Sequence, residues 1–215
     1  MNGNKCLLAI MQFLATFGRV RGVRRKQNHR IRLERIAGHM TYGYVEDQKR
    51  WTNVPFGRFT MAFSGCEIFA VYNALHYWNR QFGYRELAEL IYAFEGKGAM
   101  LWGGFGTSPY ALRDYFLQRD YVVKTTTSDQ PKEIQKLEQE NAVYILTAFN
   151  EGHNIFKQIH TVCITLEKDG WYLHNNGNKN THGRYVATKY PSLVQAVRCM
   201  RSNSRLIYLM AIAQK

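Results

Sequence analysis

Cys66 is the residue of the chain best placed to do chemistry. It stands in the segment Phe63-Ser64-Gly65-Cys66-Glu67-Ile68-Phe69-Ala70-Val71-Tyr72-Asn73-Ala74-Leu75. Behind it, Ile68, Val71, Tyr72, Leu75 and Trp78 recur at helical spacing, and Ser64-Gly65 can cap the helix they form. The cysteine therefore falls in the first turn. Unpaired amides and the helix dipole there favour a thiolate, the nucleophilic form. The plain alternative is a small buried apolar side chain. Cys6, Cys163 and Cys199 lack that setting: one lies in an apolar and basic N-terminal stretch, one inside an apolar strand, one in a basic segment. Metal chemistry is not expected. His160 and Cys163 point to opposite faces of a strand, no Cys-x-x-Cys pair exists, and no other cofactor is implied.

A nucleophilic cysteine needs a base and a group that orients the base. His160 opens the strand Ile159-His160-Thr161-Val162-Cys163-Ile164-Thr165-Leu166, at the rim of the row Val162, Ile164, Leu166. The alternative for this histidine is a ring satisfied by a backbone carbonyl. The next strand, Trp171-Tyr172-Leu173-His174, ends in Asn175 and Asn176, either of which could orient the ring. A three-residue Lys168-Asp169-Gly170 loop puts Asn176 on the His160 face, whereas a two- or four-residue loop puts Asn175 there. Sequence leaves both open.

These residues need a scaffold. Helices are expected over residues 66–78, 84–94, from Pro109 to about Arg119, and as a polar helix over 131–139. Strands are expected over 121–126, 142–148, 159–166, 171–174 and 206–213. Residues 41–63 read as an irregular lead-in, and Gly96 to Gly106 as a glycine-rich loop. Tyr42, Tyr44, Trp51, Trp102 and Phe105 could line a cleft or simply pack. Helices first and antiparallel strands later argue for an α+β fold.

Composition bounds the partners. The 215 residues are 46% hydrophobic and 14% aromatic, which excludes a disordered chain, and four dispersed cysteines exclude a disulfide scaffold. No apolar run of about 18 residues exists, so no integral membrane segment is expected. The formal charge is +13, but Arg19 to Arg35 holds eight Lys or Arg against Glu34 alone. Residues 1–40 therefore read as an apolar helix (Leu7 to Phe17) plus a basic arm, ahead of one domain over 41–215. A basic block after the apolar stretch opposes export, so the expected location is cytoplasmic. The arm is a solvated face, a contact for an anionic membrane surface, or a nucleic-acid contact.

The order of a helix-borne cysteine, a distant strand histidine and an asparagine after the following strand resembles the papain-like cysteine peptidases. More narrowly it is similar to stand-alone bacterial relatives of the double-glycine, bacteriocin-leader peptidases. Gly65 to Leu75 resembles their nucleophile helix, Thr107-Ser108-Pro109-Tyr110-Ala111-Leu112-Arg113-Asp114-Tyr115 their second helix, and His160-Thr161-Val162 with Asp169-Gly170 and Asn175-Asn176 their hairpin. The likeness spans about residues 55–190. It implies a papain-like α+β fold and a hydrolase cleaving peptide or protein substrates, with Cys66 as nucleophile, His160 as base and then acid, and Asn175 or Asn176 fixing the ring. The family carries Gln six residues before the nucleophile to hold the oxyanion. Thr60 stands there, with Ser64 and Asn53 as other donors beside the Cys66 amide. Two alternatives remain: a cysteine acyltransferase or amidase acting on a non-peptide amine, and a non-catalytic basic module for nucleic acid or anionic membrane.

Overall fold

The computed structural model of the chain describes residues 3–17, 22–37, 43–96, 106–139, 141–154, 158–200 and 205–215. Its centre is an antiparallel sheet of six strands in the order β3-β8-β4-β5-β6-β7. These are β3 (Val122–Thr126), β4 (Val143–Phe149), β5 (Ile159–Glu167), β6 (Gly170–His174), β7 (Thr188–Tyr190) and β8 (Arg205–Ala213). β4 and β8 are buried along nearly their whole length, and β5 from Thr161 to Thr165, because both faces are covered there. Val143, Ile145, Cys163, Met210 and Ile212 face one core, which α4 (Cys66–Trp78), α5 (Tyr84–Gly96) and α6 (Pro109–Leu117) complete. Tyr144, Leu146, Val162, Ile164, Leu173 and Leu209 face the other, under α7 (Pro131–Gln135) and α8 (Leu193–Arg198). The period-2 alternation of each strand makes this division. The fold is α+β, as its helix-then-strand order predicts.

Expected strands agree with observed ones to within a residue or two at their ends, and α4 to α6 begin at the expected residues Cys66, Tyr84 and Pro109. The polar helix is shorter than expected, closing at Gln135, and β7 and α8 were not anticipated. Nor is the lead-in irregular throughout. It holds a 3₁₀ turn at Gln48–Arg50, a hairpin of β1 (Pro55–Phe56) and β2 (Phe59–Thr60), and a one-turn helix α3 (Met61–Ser64). Residues 97–105, and with them Trp102 and Phe105, lie outside the described residues, as do Tyr42, residues 18–21 and 38–42.

The basic arm corrects the sequence reading most sharply. Its helical part, α2 (Gly22–Ile36), is not a free appendage but packs along α5 and the β1–β2 hairpin, following the apolar α1 (Gly3–Ala15). Arg32 is fully buried in an ion pair with Glu95, and its Nε donates to the Pro55 carbonyl at 2.8 Å. Glu95 also accepts from the Gly57 amide (2.7 Å) and from Asn28 (3.2 Å). Arg25 lies 3.6 Å over the Tyr92 ring and donates to that residue's carbonyl. Part of the positive charge that looks like a ligand-binding run thus fastens α2 to the body.

Glu95→Ala strands a buried guanidinium and the Gly57 amide. It should cost about 3–5 kcal/mol in urea unfolding, against less than about 0.5 kcal/mol for Glu34→Ala on the exposed face.

Candidate active site

The β5–β6 hairpin sets the site's geometry. Glu167 pairs with Gly170, so the loop is the two-residue Lys168-Asp169, and the pairing continues to Cys163 opposite His174. The three-residue loop with Asn176 on the His160 face is therefore not formed, and the two-residue alternative is. Beyond His174 the strand departs: Asn175 is in the left-handed region (φ 57) and pairing stops. In an antiparallel ladder alternate residues turn their polar groups to the same neighbour. Thr161, two residues past Cys163, thus presents its amide to a side that β6 has vacated. From there the Thr161 backbone favours the thiolate form of Cys66.

His160 sits one residue away. By alternation its side chain leaves on the Val162 and Ile164 side, whereas Thr161 and Cys163 face α4. Its Nε2 lies 2.7 Å from the Asn175 carbonyl oxygen. A carbonyl only accepts, so Nε2 carries the proton and Nδ1 is the lone-pair nitrogen of the neutral ring. Asn175 thus meets the ring through its backbone, not its amide. That amide clasps Gln48 instead, with Asn175 Nδ2 donating to Gln48 Oε1 and Gln48 N donating to Asn175 Oδ1, both at 3.2 Å. Glu46 holds the same corner, accepting the Asn175 N–H on Oε2 (2.8 Å) and contacting His174 Nδ1 through Oε1 (2.5 Å). Asn176 turns away, donating to Thr188 Oγ1 at 2.6 Å and accepting from the Asn178 amide. Of the two asparagines, the hairpin brings Asn175 to His160.

Thr60 caps α3 and pairs with Pro55. Among the described residues no contact joins it to Cys66. Ser64 donates to the Thr60 carbonyl, and the Asn53 carbonyl accepts from Arg35. The glutamine that the fold does bring in is Gln48. Its side-chain nitrogen donates to the Ala62 carbonyl (3.0 Å), so it ties Asn175 to the turn leading into the Cys66 helix.

Glu67 is the neighbour of Cys66 that sequence reasoning missed. It is fully buried, and its Oε2 lies 3.2 Å from the Cys66 sulfur. The other oxygen, Oε1, is buried without a hydrogen-bond partner, as is Thr107 Oγ1 nearby. Gly106 (φ 84) passes so close that a Cβ there would stand 2.7 Å from Oε1, so this approach requires glycine. Burial raises the Glu67 carboxyl to about 7. Burial, and then the Glu67 charge, push the Cys66 thiol well above its ordinary value, outweighing the help of the Thr161 amide. The thiolate expected from the helix N-terminus is therefore not the resting form. Desolvation exceeds the dipole.

Cavity space lies on the Glu46 side. A pocket of about 630 Å³ is lined by Tyr44, Glu46, Asp47, Arg50, Trp51 and Tyr185 among others. Tyr44 and Trp51, two of the aromatics for which a cleft and plain packing were both open, line it. Tyr44 stacks on His174 with ring centres 3.9 Å apart. Among the described residues no cluster of His, Cys, Asp and Glu could hold a metal ion. The chain matches no family model, no curated protein and no solved structure.

Two measurements follow from the Cys66–Glu67 pair and the Asn175 corner. Glu67 keeps its proton up to about pH 7 when folded but only to 4.5 as a free carboxyl. The unfolded chain thus releases a proton that the folded chain retains, and stability falls as pH rises from 4.5 to about 7. The gap is worth about 3 kcal/mol, and Glu67→Gln should remove that slope in urea titrations across this window while lowering the Cys66 thiol pKa. Asn175→Gly keeps the left-handed backbone that holds the carbonyl on His160, so it should retain more His160-dependent reactivity of Cys66 than Asn175→Ala, read as the alkylation rate of the thiol.

Proposed function

We propose that the chain is a cysteine-type hydrolase of papain-like arrangement acting on peptide or amide bonds, with Cys66 as nucleophile and His160 as base. What supports this reading is the parting of β5 and β6: the Thr161 backbone favours the Cys66 thiolate, and the residue before it, His160, is held by the Asn175 carbonyl. The ring leaves β5 on the face away from α4, so the reaction requires it to turn to the sulfur.

In the proposed reaction His160 Nδ1 takes the thiol proton and the sulfur bonds to the acyl carbon. The proton then passes to the leaving amine as the carbon–nitrogen bond breaks. Water attacks the thioester, giving its proton to His160, which returns it to the departing sulfur. The Cys66 backbone amide, free at the helix N-terminus, is the donor available to the oxyanion. The Asn175 carbonyl fixes the histidine tautomer and strengthens its hold as the ring becomes charged. Glu67 sets the working pH: its charge opposes the thiolate, so the sulfur is more readily ionised while that carboxyl is protonated. The runner-up, acyl transfer to an amine, uses the same thioester and differs only in the acceptor.

The decisive experiment is alkylation with iodoacetamide near neutral pH, read residue by residue by mass spectrometry. Cys66 should label and His160→Ala should slow it by about 10²-fold or more, without slowing Cys199 on the surface. Labelling of Cys66 indifferent to His160 would sink the proposal. Thioester turnover in water alone, with no amine present, separates hydrolase from transferase.

A further inference from the structure

The N-terminal helix α1 is apolar on two opposite faces. Its inner face, Leu8, Met11 and Ala15, is buried, with Met11 and Ala15 packed beside Ile159, the residue before His160. Gln12 secures the same face by accepting from Ser108 Oγ at 2.6 Å. Its outer face should then be polar, as on most surface helices. Instead Ile10, Phe13 and Phe17, at positions i, i+3 and i+7, are 50%, 64% and 67% exposed. The two phenylalanine rings meet edge to face, 5.4 Å apart, making one patch.

The charges that flank this patch along the sequence are of one sign, with no Asp or Glu before Glu34. α1 carries only Lys5, which is exposed, and α2 begins with Val23, 71% exposed, and then Arg24 and Lys26. Packing sorts the cations of α2. Arg25, Arg32 and Arg35 are turned onto Tyr92, Glu95 and the Asn53 carbonyl. Lys5, Arg24 and Lys26 have no ion-pair partner among the described residues. Glu34, the one acid of the two helices, pairs with Arg30 and so leaves the run basic.

We propose that the outer face of α1, with Lys5, Arg24 and Lys26, docks on the surface of an anionic lipid bilayer. Exposed Phe and Ile beside unpaired cations are what such a surface binds, acyl chains taking the rings and headgroups the charge. A second copy of the chain is the poorer occupant, because a symmetric contact would bring two sets of these cations together. Nucleic acid would use the cations but has no need of an aliphatic and aromatic ridge. Docking would hold the His160 end of β5 one helix diameter, ~10 Å, from the lipid.

The test is co-sedimentation of the full chain with phosphatidylcholine vesicles, with and without phosphatidylglycerol. Binding is expected only with the anionic lipid, weakening as salt rises. A Phe13→Ser/Phe17→Ser variant, altered only at exposed positions and checked for an unchanged melting curve, should bind about tenfold or more weakly. Lys5→Gln/Arg24→Gln/Lys26→Gln should flatten the salt dependence. Failure to bind anionic vesicles overturns the proposal, as does binding that ignores the phenylalanines, tighter binding to an oligonucleotide, or a dimer dispersed by the serine variant. Cys66 alkylation in the serine variant is an independent readout, so loss of docking and loss of site reactivity are distinguishable.

Discussion

β5 and β6 part company after the Cys163–His174 pair, and the site grows from that parting. The Thr161 backbone left over at the split favours the Cys66 thiolate at the start of α4. The same split turns Asn175 into the left-handed region, which frees its carbonyl for the His160 ring. A non-glycine residue there is costly to hold. Glu46 on its amide and Gln48 on its side chain supply the restraint, and Gln48 carries it to α3. Hairpin, lead-in and the Cys66 helix are thus one mechanical unit.

Two buried carboxyls show how differently low dielectric can be used. Glu95 is held through Oε1 by a guanidinium, an amide N–H and an asparagine, a cluster that locks three elements together although Oε2 has no hydrogen-bond partner. Glu67 has no cation against it among the described residues. It has a thiol on one oxygen and no hydrogen-bond partner on the other, beside an equally unpartnered threonine hydroxyl. A carboxyl raised to about 7 beside a sulfur is the electrostatic signature of the corner, whereas the ion-paired one is architecture.

Several pieces of this were legible without coordinates. The helix behind Cys66, the strand behind His160 and the two asparagines after β6 all follow from short-range periodicity and turn residues. The apolar helix before the basic run was legible for the same reason. What failed were statements about environment. The segment before Cys66 looked irregular because its hairpin and one-turn helix are too short to show a period, and Glu46 and Gln48 were hidden with them. The thiolate expected at a helix start was overruled by burial, which a local motif does not reveal. Arg25 and Arg32 looked like solvated charge because Tyr92 and Glu95, which engage them, lie more than sixty residues away.

By itself, then, the sequence determined which residue types stand at which element ends, since helix caps and strand alternation are properties of neighbouring residues. Tertiary structure decided three other things. It chose Asn175 over Asn176, and its carbonyl over its amide. It kept the protons on Cys66 and Glu67. It also divided the basic run into cations that hold the fold and cations that remain exposed. Each depends on strand register or on desolvation, and both are set by elements that meet only when the chain has folded.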